Sequence, residues 1–66
     1  MRFHIGDIVE LTGGADAGQI GRVCAATQLA YTVRIWKNPL NHAKGSIPTI
    51  VSPSQLKAAS GDAPAC

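Results

Sequence analysis

Five cationic or aromatic side chains in the middle of the chain have types and spacing suited to binding: Arg22, Arg34, Trp36, Lys37 and Lys44. Arginine and lysine neutralise phosphate groups, and the indole ring of tryptophan can stack on a base. The sequence shows no recognisable order of nucleophile, general base and orienting acid, so it predicts no catalytic residue. These observations favour a non-catalytic binding module whose partner is nucleic acid or protein.

Alternation of side chains predicts that two of these residues share one face of a strand. From residue 29 to residue 36 every second side chain is a core former, and this set is Leu29, Tyr31, Val33 and Ile35. Arg34 and Trp36 then lie on the outer face, where they can stack on a base or bury against a neighbouring subunit. A structural role, in which Trp36 covers the edge of a thin barrel, is the third interpretation.

The stretch of residues 5–23 is predicted to form a β-hairpin. β-Branched and apolar residues favour a first strand over residues 8–12, and the glycines and aspartate of residues 13–18 supply the turn. Residues 20–23 begin the return strand. Gly21 lies inside that strand and predicts a bulge or a sharp bend there.

Turn residues and strand breakers predict the remaining segments. Residues 37–45 form a basic loop, and residues 46–51 form a strand in which Pro48 must lie at an edge or a bulge, because it cannot donate to a ladder. The Ser-Pro-Ser-Gln run that follows predicts a 3₁₀ turn before a short final strand. The sequence thus predicts one domain, residues 1–58, followed by a disordered tail, residues 59–66.

The glycines of the hairpin carry a resemblance to a known family. The matching positions are Gly6, Asp7, Val9, Gly14, Gly18, Gly21, Val23, Tyr31 and Val33. Their order resembles the KOW motif of ribosomal proteins and transcription elongation factors. This resemblance implies an all-β fold, namely a small SH3-like five-stranded barrel with a short 3₁₀ turn before the last strand. It also implies nucleic-acid binding by the five residues named first.

The hairpin also resembles the plasmid-type (type II) dihydrofolate reductases, at Gly6, Asp7, Val9, Gly14, Ala15, Gly18, Gln19 and Ile20. In that family four barrels surround one pore, and a Val-Gln-Ile-Tyr run after Gly-Ser holds folate and NADPH. Here Gly45 and Ser46 match the Gly-Ser, Ile47 stands in place of the valine, and the resemblance implies that Ser46 and Ile47 line the pore. Pro48 and Ile50 replace the glutamine and the tyrosine, so the groups that orient substrate and cofactor are missing. The alternative function is a reductase-like oligomer acting on dihydrofolate with NADPH.

Length and composition bound the remaining properties. In a chain of 66 residues with net charge +2, only 15% of residues are charged against 45% apolar, which predicts a homo-oligomer interface. No disulfide is expected, because Cys24 lies in a predicted strand and Cys66 ends a polar tail. A reducing, cytoplasmic location fits two unpaired thiols. No apolar run is long enough to span a membrane, and no metal site or resident cofactor is expected.

Overall fold

The computed structural model describes residues 3–66, so residues 1 and 2 of the predicted domain lie outside the described part. It contains five strands: β1 (Ile8–Leu11), β2 (Ile20–Ala26), β3 (Tyr31–Trp36), β4 (Ser46–Val51) and β5 (Leu56–Ala58). Two 3₁₀ turns, His42–Lys44 and Pro53–Gln55, lie on either side of β4. In this range no helix has the length and apolar character needed to cross a membrane.

All five strands belong to one antiparallel sheet with the order β4-β3-β2-β1-β5. Strands β1 to β4 form a meander, and β5 returns to pair with β1, where Leu56 lies opposite Leu11. The all-β prediction is confirmed. Across residues 3–66 no ladder joins β4 to β5, so the sheet is open where a closed barrel would pair its two outermost strands.

A single layer of apolar side chains fills the inner side of the sheet. Its buried members are Phe3, Val9, Leu11, Val23, Tyr31, Val33, Ile35, Val51 and Leu56. Within β3 buried and half-buried residues alternate, as the two-residue period of a strand requires. The rings of Phe3 and Tyr31 meet edge to face with centroids 5.8 Å apart, and the Phe3 N–H donates to the Tyr31 hydroxyl at 3.2 Å. This contact fixes the N-terminal segment to the core.

The 3₁₀ turn predicted before the final strand is present. Pro53 occupies its first position, where its missing N–H costs nothing, and the Gln55 N–H donates to the Ser52 carbonyl at 2.9 Å. The Ser52 side chain makes no cap hydrogen bond. Leu56 follows the turn and is buried in the core.

The prediction that Leu29 faces the core is wrong. β3 begins only at Tyr31, and Leu29 lies in the preceding turn with 85% of its surface exposed. Thr27 explains the difference, because its Oγ1 accepts hydrogen bonds from the N–H groups of Leu29 and Ala30 at 3.2 and 3.1 Å. A threonine that satisfies the backbone locally in this way favours a turn over further strand pairing.

The prediction of a bulge at Gly21 is wrong as well. Gly21 pairs in regular register with Val9 on one side and Ile35 on the other, and the register of β2 shifts only beyond residue 23. A Cβ atom at Gly21 would lie 2.5 Å from a methyl group of Val33 and 2.6 Å from a backbone carbonyl oxygen of β3. Glycine is required there because β3 occupies the space that a side chain would need.

We expect Gly21→Ala to lower the free energy of unfolding by about 2 kcal/mol, because the new methyl group meets a backbone atom that cannot turn away. Gly13→Ala is the matched control, since its Cβ would meet the mobile side-chain end of Gln55 at 3.2 Å. Urea denaturation followed by circular dichroism measures both values. Equal stability of the two variants would contradict the packing described for β2.

The C-terminal tail, residues 59–66, has no regular secondary structure but lies against the sheet. Cys66 forms a disulfide with Cys24 of β2, and Ala63 and Pro64 are buried. The expectation that the cysteines are unpaired is therefore wrong. The side chain of Cys24 lies on the face of β2 opposite the core, and the tail runs over that face. A cytoplasmic location stays a prediction, but it loses the support of two unpaired thiols. The structure also gives a defined position to a segment that the sequence predicted to be disordered.

Candidate functional site

The outer face of the sheet is the side opposite the apolar core. On β2 and β3 it consists of Arg22, Cys24, Thr32, Arg34 and Trp36, all of them half-buried. These residues share a side because the positions alternating with them along each strand are directed into the core. The sequence predicted the outward direction of Arg34 and Trp36, and the burial pattern of β3 agrees with it.

Arg22 and Arg34 lie directly opposite each other on β2 and β3. Like charges at opposed positions repel unless nearby groups compensate for them. Arg22 donates from Nε to the Pro64 carbonyl oxygen and from Nη1 to the Gly6 carbonyl oxygen, both at 3.1 Å. Arg34 Nη1 is buried and has no hydrogen-bond partner among the described residues. The two carbonyl groups that accept hydrogen bonds from Arg22 thus offset part of the repulsion between the two arginines.

Three of the four acidic side chains of the described residues are paired with other cations, and Asp16 is in none of the recorded pairs. The recorded ion pairs, which include histidines that are charged only when protonated, are His4 with Asp7, His42 with Asp62, and Lys57 with Glu10. Four further cations have no carboxylate partner within residues 3–66: Arg22, Arg34, Lys37 and Lys44. All four belong to the set that the sequence predicted to bind a partner. Within the described residues, no recorded ion pair neutralises these four cations.

Lys37 and Lys44 are exposed residues at the two ends of the loop that follows β3. The loop is closed by a hydrogen bond of 2.9 Å from the Lys37 N–H to the Gly45 carbonyl. Inside it, the side-chain oxygens of Asn38 and Asn41 each accept a backbone N–H two residues ahead. These asparagine turns hold the loop in a compact shape. Both lysines consequently lie next to the end of the strand that carries the outer-face arginine and tryptophan.

Trp36 stacks on His42, a residue of the first 3₁₀ turn. The ring centroids are 3.9 Å apart and the planes differ by 5°. Trp36 Nε1 is buried and has no hydrogen-bond partner in the part of the chain that the structure describes. The sequence indicated only that His42 belongs to a basic loop, because no spacing rule predicts contact between a strand end and the middle of an irregular loop. The two stacked rings form the aromatic centre of the site.

A surface cavity of about 410 Å³ lies beside the stacked rings. Its lining comprises residues 17–20 of the first hairpin together with Trp36, Pro39, His42 and Asp62. Asp62 belongs to the tail, and its Oδ2 lies 3.3 Å from His42 Nδ1. The sequence did not predict a role for Asp62, since the tail was expected to be disordered. One wall of the cavity is therefore supplied by the tail.

Ser46 and Ile47, the residues predicted to line a pore in a reductase-like assembly, lie at the start of β4. Ser46 is opposite Trp36 and is half-buried, whereas Ile47 is opposite Ile35 and is exposed. Adjacent residues of a strand point to opposite sides of the sheet, so these two do not line one surface of a single chain. A shared pore would require further chains.

Pro48 lies in the middle of the open edge of β4. The Lys37 N–H donates to the Gly45 carbonyl, so residues 37 and 45 form a hydrogen-bonded pair of the antiparallel ladder. Such pairs recur at every second residue, so residues 47, 49 and 51 of β4 form the hydrogen bonds to β3. Residues 46, 48 and 50 then direct their backbone groups toward the open edge. Because proline has no N–H, the ladder loses nothing, but the open edge lacks its central donor. The predicted edge position of Pro48 is confirmed.

Among residues 3–66, no three histidine, cysteine or acidic side chains are grouped so that they could hold a metal ion. Comparisons with protein-family models, curated proteins and solved structures found no match to this chain. Function must therefore be argued from the chemistry of the outer face and its neighbouring loop.

Trp36 is the only tryptophan of the chain, so its fluorescence reports on this site alone. We expect His42→Ala to shift the emission maximum to longer wavelength, because the stacked imidazole no longer shields the indole from water. His4→Ala is the control, since that side chain is 83% exposed and lies beside Asp7. Identical spectra for His42→Ala and the unmodified protein would show that the rings do not stack in solution.

Proposed function

We propose that this protein is an SH3-like, KOW-type module that binds single-stranded nucleic acid through its outer face and the loop of residues 37–45. One observation carries the proposal. Four cations without a carboxylate partner share the outer face and the loop with a stacked pair of aromatic rings: Arg22, Arg34, Lys37 and Lys44 beside the elements that carry Trp36 and His42. Unneutralised cations beside aromatic faces are the composition that single-strand binding surfaces use.

The charge arrangement favours a polyanion as the ligand. Arg22 and Arg34 lie opposite each other with only carbonyl dipoles to offset their repulsion, and the buried Arg34 Nη1 lacks an acceptor among the described residues. A phosphate group between Arg22 and Arg34 would relieve both costs, because a guanidinium forms strong charge-assisted hydrogen bonds with phosphate oxygens. Lys37 and Lys44 would extend the positive track for the next phosphates along the strand.

The aromatic rings favour a single strand over a duplex. Base faces are accessible to stacking only where they are unpaired, and stacking tolerates any base because every base has a flat face. His42 already occupies one face of the Trp36 indole, so an incoming base would extend this stack from the histidine side or enter the adjoining cavity. The proposal therefore predicts little sequence preference.

The strand arrangement supports the SH3-like part of the proposal. A four-strand meander is followed by a 3₁₀ turn, and β5 returns to β1. Val51 of one edge strand and Leu56 of the other belong to the same core cluster. A sheet whose two edges share a core is curled, which is the geometry from which a small barrel closes.

Two other predictions from the sequence remain as proposals with less support. Dihydrofolate reduction with NADPH requires several chains, because Ser46 and Ile47 do not share a surface in one chain. A homo-oligomer of any kind would have to use exposed apolar side chains such as Ile50, of which 71% is accessible. An absorbance assay with dihydrofolate and NADPH tests the first proposal, and light scattering at several protein concentrations tests the second.

Trp36→Ala should weaken the binding of a labelled oligodeoxythymidylate by about 1–3 kcal/mol, because a base loses its stacking platform. Lys44→Ala should act differently, reducing the slope of log affinity against log salt concentration by about one unit, because one phosphate contact is lost. Fluorescence anisotropy at several salt concentrations measures both effects, with and without a reducing agent.

Lys57→Ala provides the matched control for removal of a lysine charge. Lys57 is also exposed, but it lies on β5 beside Glu10, three strands away from β3. Its removal should leave both the affinity and the salt slope close to those of the unmodified protein. The proposed function fails if no oligonucleotide binds at low salt under either redox condition, or if Trp36→Ala binds as tightly as the unmodified chain.

A further inference from the structure

The C-terminal tail crosses the outer face and contacts it at every second residue. Asp62 Oδ2 lies 3.3 Å from His42 Nδ1, and the Pro64 carbonyl accepts a hydrogen bond of 3.1 Å from Arg22 Nε. Cys66 is bonded through sulfur to Cys24. Between Asp62 and Cys66, Ala63 and Pro64 are buried, whereas Ala65 is exposed. The tail therefore lies along the surface assigned above to nucleic acid.

The tail occupies the same chemical groups that a nucleic acid would need. A carboxylate at Asp62 lies where an anion would approach the Trp36–His42 stack, and a carbonyl oxygen takes one of the Arg22 donors. Together these contacts imitate an acidic, oxygen-rich strand. A ligand strand and the docked tail cannot occupy Arg22 and His42 at the same time.

The docked position of the tail depends on the disulfide. The contact between His42 and Asp62 is exposed on both sides, 41% and 76%, and exposed pairs of this kind stabilise little. One hydrogen bond to Arg22 and the burial of small residues add modestly. Holding eight residues in one conformation costs entropy at every residue, and the covalent link removes most of the freedom that would have to be lost.

We propose that the tail is a redox-released cover: while the Cys24–Cys66 disulfide is closed, residues 62–66 block the outer face, and reduction frees that face for a nucleic-acid strand. This inference rests on the proposed function for the identity of the ligand. The movement of the tail itself is independent of that identity. The movement of the tail must therefore also be measured by a method that does not depend on ligand binding.

The releasing step is a thiol–disulfide exchange with a dithiol as the reductant. A thiolate of the dithiol attacks the sulfur of Cys66, which is the exposed cysteine, and forms a mixed disulfide while Cys24 leaves as a thiolate. The second thiol of the reductant then displaces Cys66. The dithiol becomes a cyclic disulfide, two electrons pass to the protein, and two protons end on the sulfurs of Cys24 and Cys66.

The experiment compares the full chain in its oxidised form, the same chain treated with dithiothreitol, and the variant Cys66→Ser. Mass spectrometry under non-reducing conditions first establishes the state of the cysteines. Anisotropy with labelled oligodeoxythymidylate should then show about tenfold or more tighter binding for the reduced chain than for the oxidised chain. Cys66→Ser should bind like the reduced chain under both conditions, because it cannot close the disulfide.

Collisional quenching of Trp36 by acrylamide supplies the second readout. Release of the tail removes Asp62 from its position beside His42, so quenching should increase on reduction of the unmodified chain and should be high in Cys66→Ser throughout. Circular dichroism establishes that each form is folded before it is compared. Chemical reduction of Cys66→Ser, which has no disulfide to open, controls for direct effects of dithiothreitol.

The possible outcomes separate the two proposals. Equal binding by the oxidised and reduced chains would overturn the cover and leave the proposed function intact. If no form binds the oligonucleotide, the proposed function fails. The acrylamide quenching data then test on their own whether reduction releases the tail. Quenching that does not change on reduction would overturn the cover whatever the binding data show.

Discussion

The connection between β4 and β5 constrains the whole fold, because it joins the two edges of the sheet. Only residues 52–55 separate Val51 from Leu56. In a flat sheet the outermost of five strands would be about 19 Å apart, whereas even a fully extended link of this length reaches at most about 18 Å. The link is a 3₁₀ turn and is therefore shorter still. The sheet must curl, and curling gives it one enclosed side for the core and one convex side that faces outward.

Much of this fold could be predicted from local chemistry. Alternation identified β3, and the Ser-Pro run identified the 3₁₀ turn, because both signals lie within a few residues. The errors arose where a partner distant in sequence decides the outcome. The need for glycine at position 21 comes from the packing of β3 against it, and the two cysteines form a disulfide although they are 42 residues apart in sequence. Leu29 is a different case, since the local hydrogen bonds of Thr27 competed with the strand pattern and prevailed.

The candidate site divides in the same way. The alternation of side chains along a strand was enough to predict that Arg34 and Trp36 share one face, and Lys37 could be assigned to the site because it follows Trp36 in the chain. The stack of His42 on the indole and the approach of Asp62 depend on the path of a loop and of a tail without repeating patterns, so no periodicity could reveal them. The composition of a small, polar tail without large apolar residues predicts disorder, because burial cannot offset its entropy, and that composition gives no sign of a covalent bond to a cysteine 42 residues away.

Pro48 has a consequence for what happens when many copies of this chain are crowded together. Fibrils grow when one exposed strand templates the next, with every outward N–H and C=O engaged by the incoming chain. At the centre of β4 an incoming carbonyl would meet a pyrrolidine ring and would lose its hydrogen bond. Strand-by-strand growth is thereby interrupted at that point, although Ile47 and Ile50 are exposed. A chain with so little charge can in this way keep an open sheet edge without offering it as a seed for cross-β aggregation.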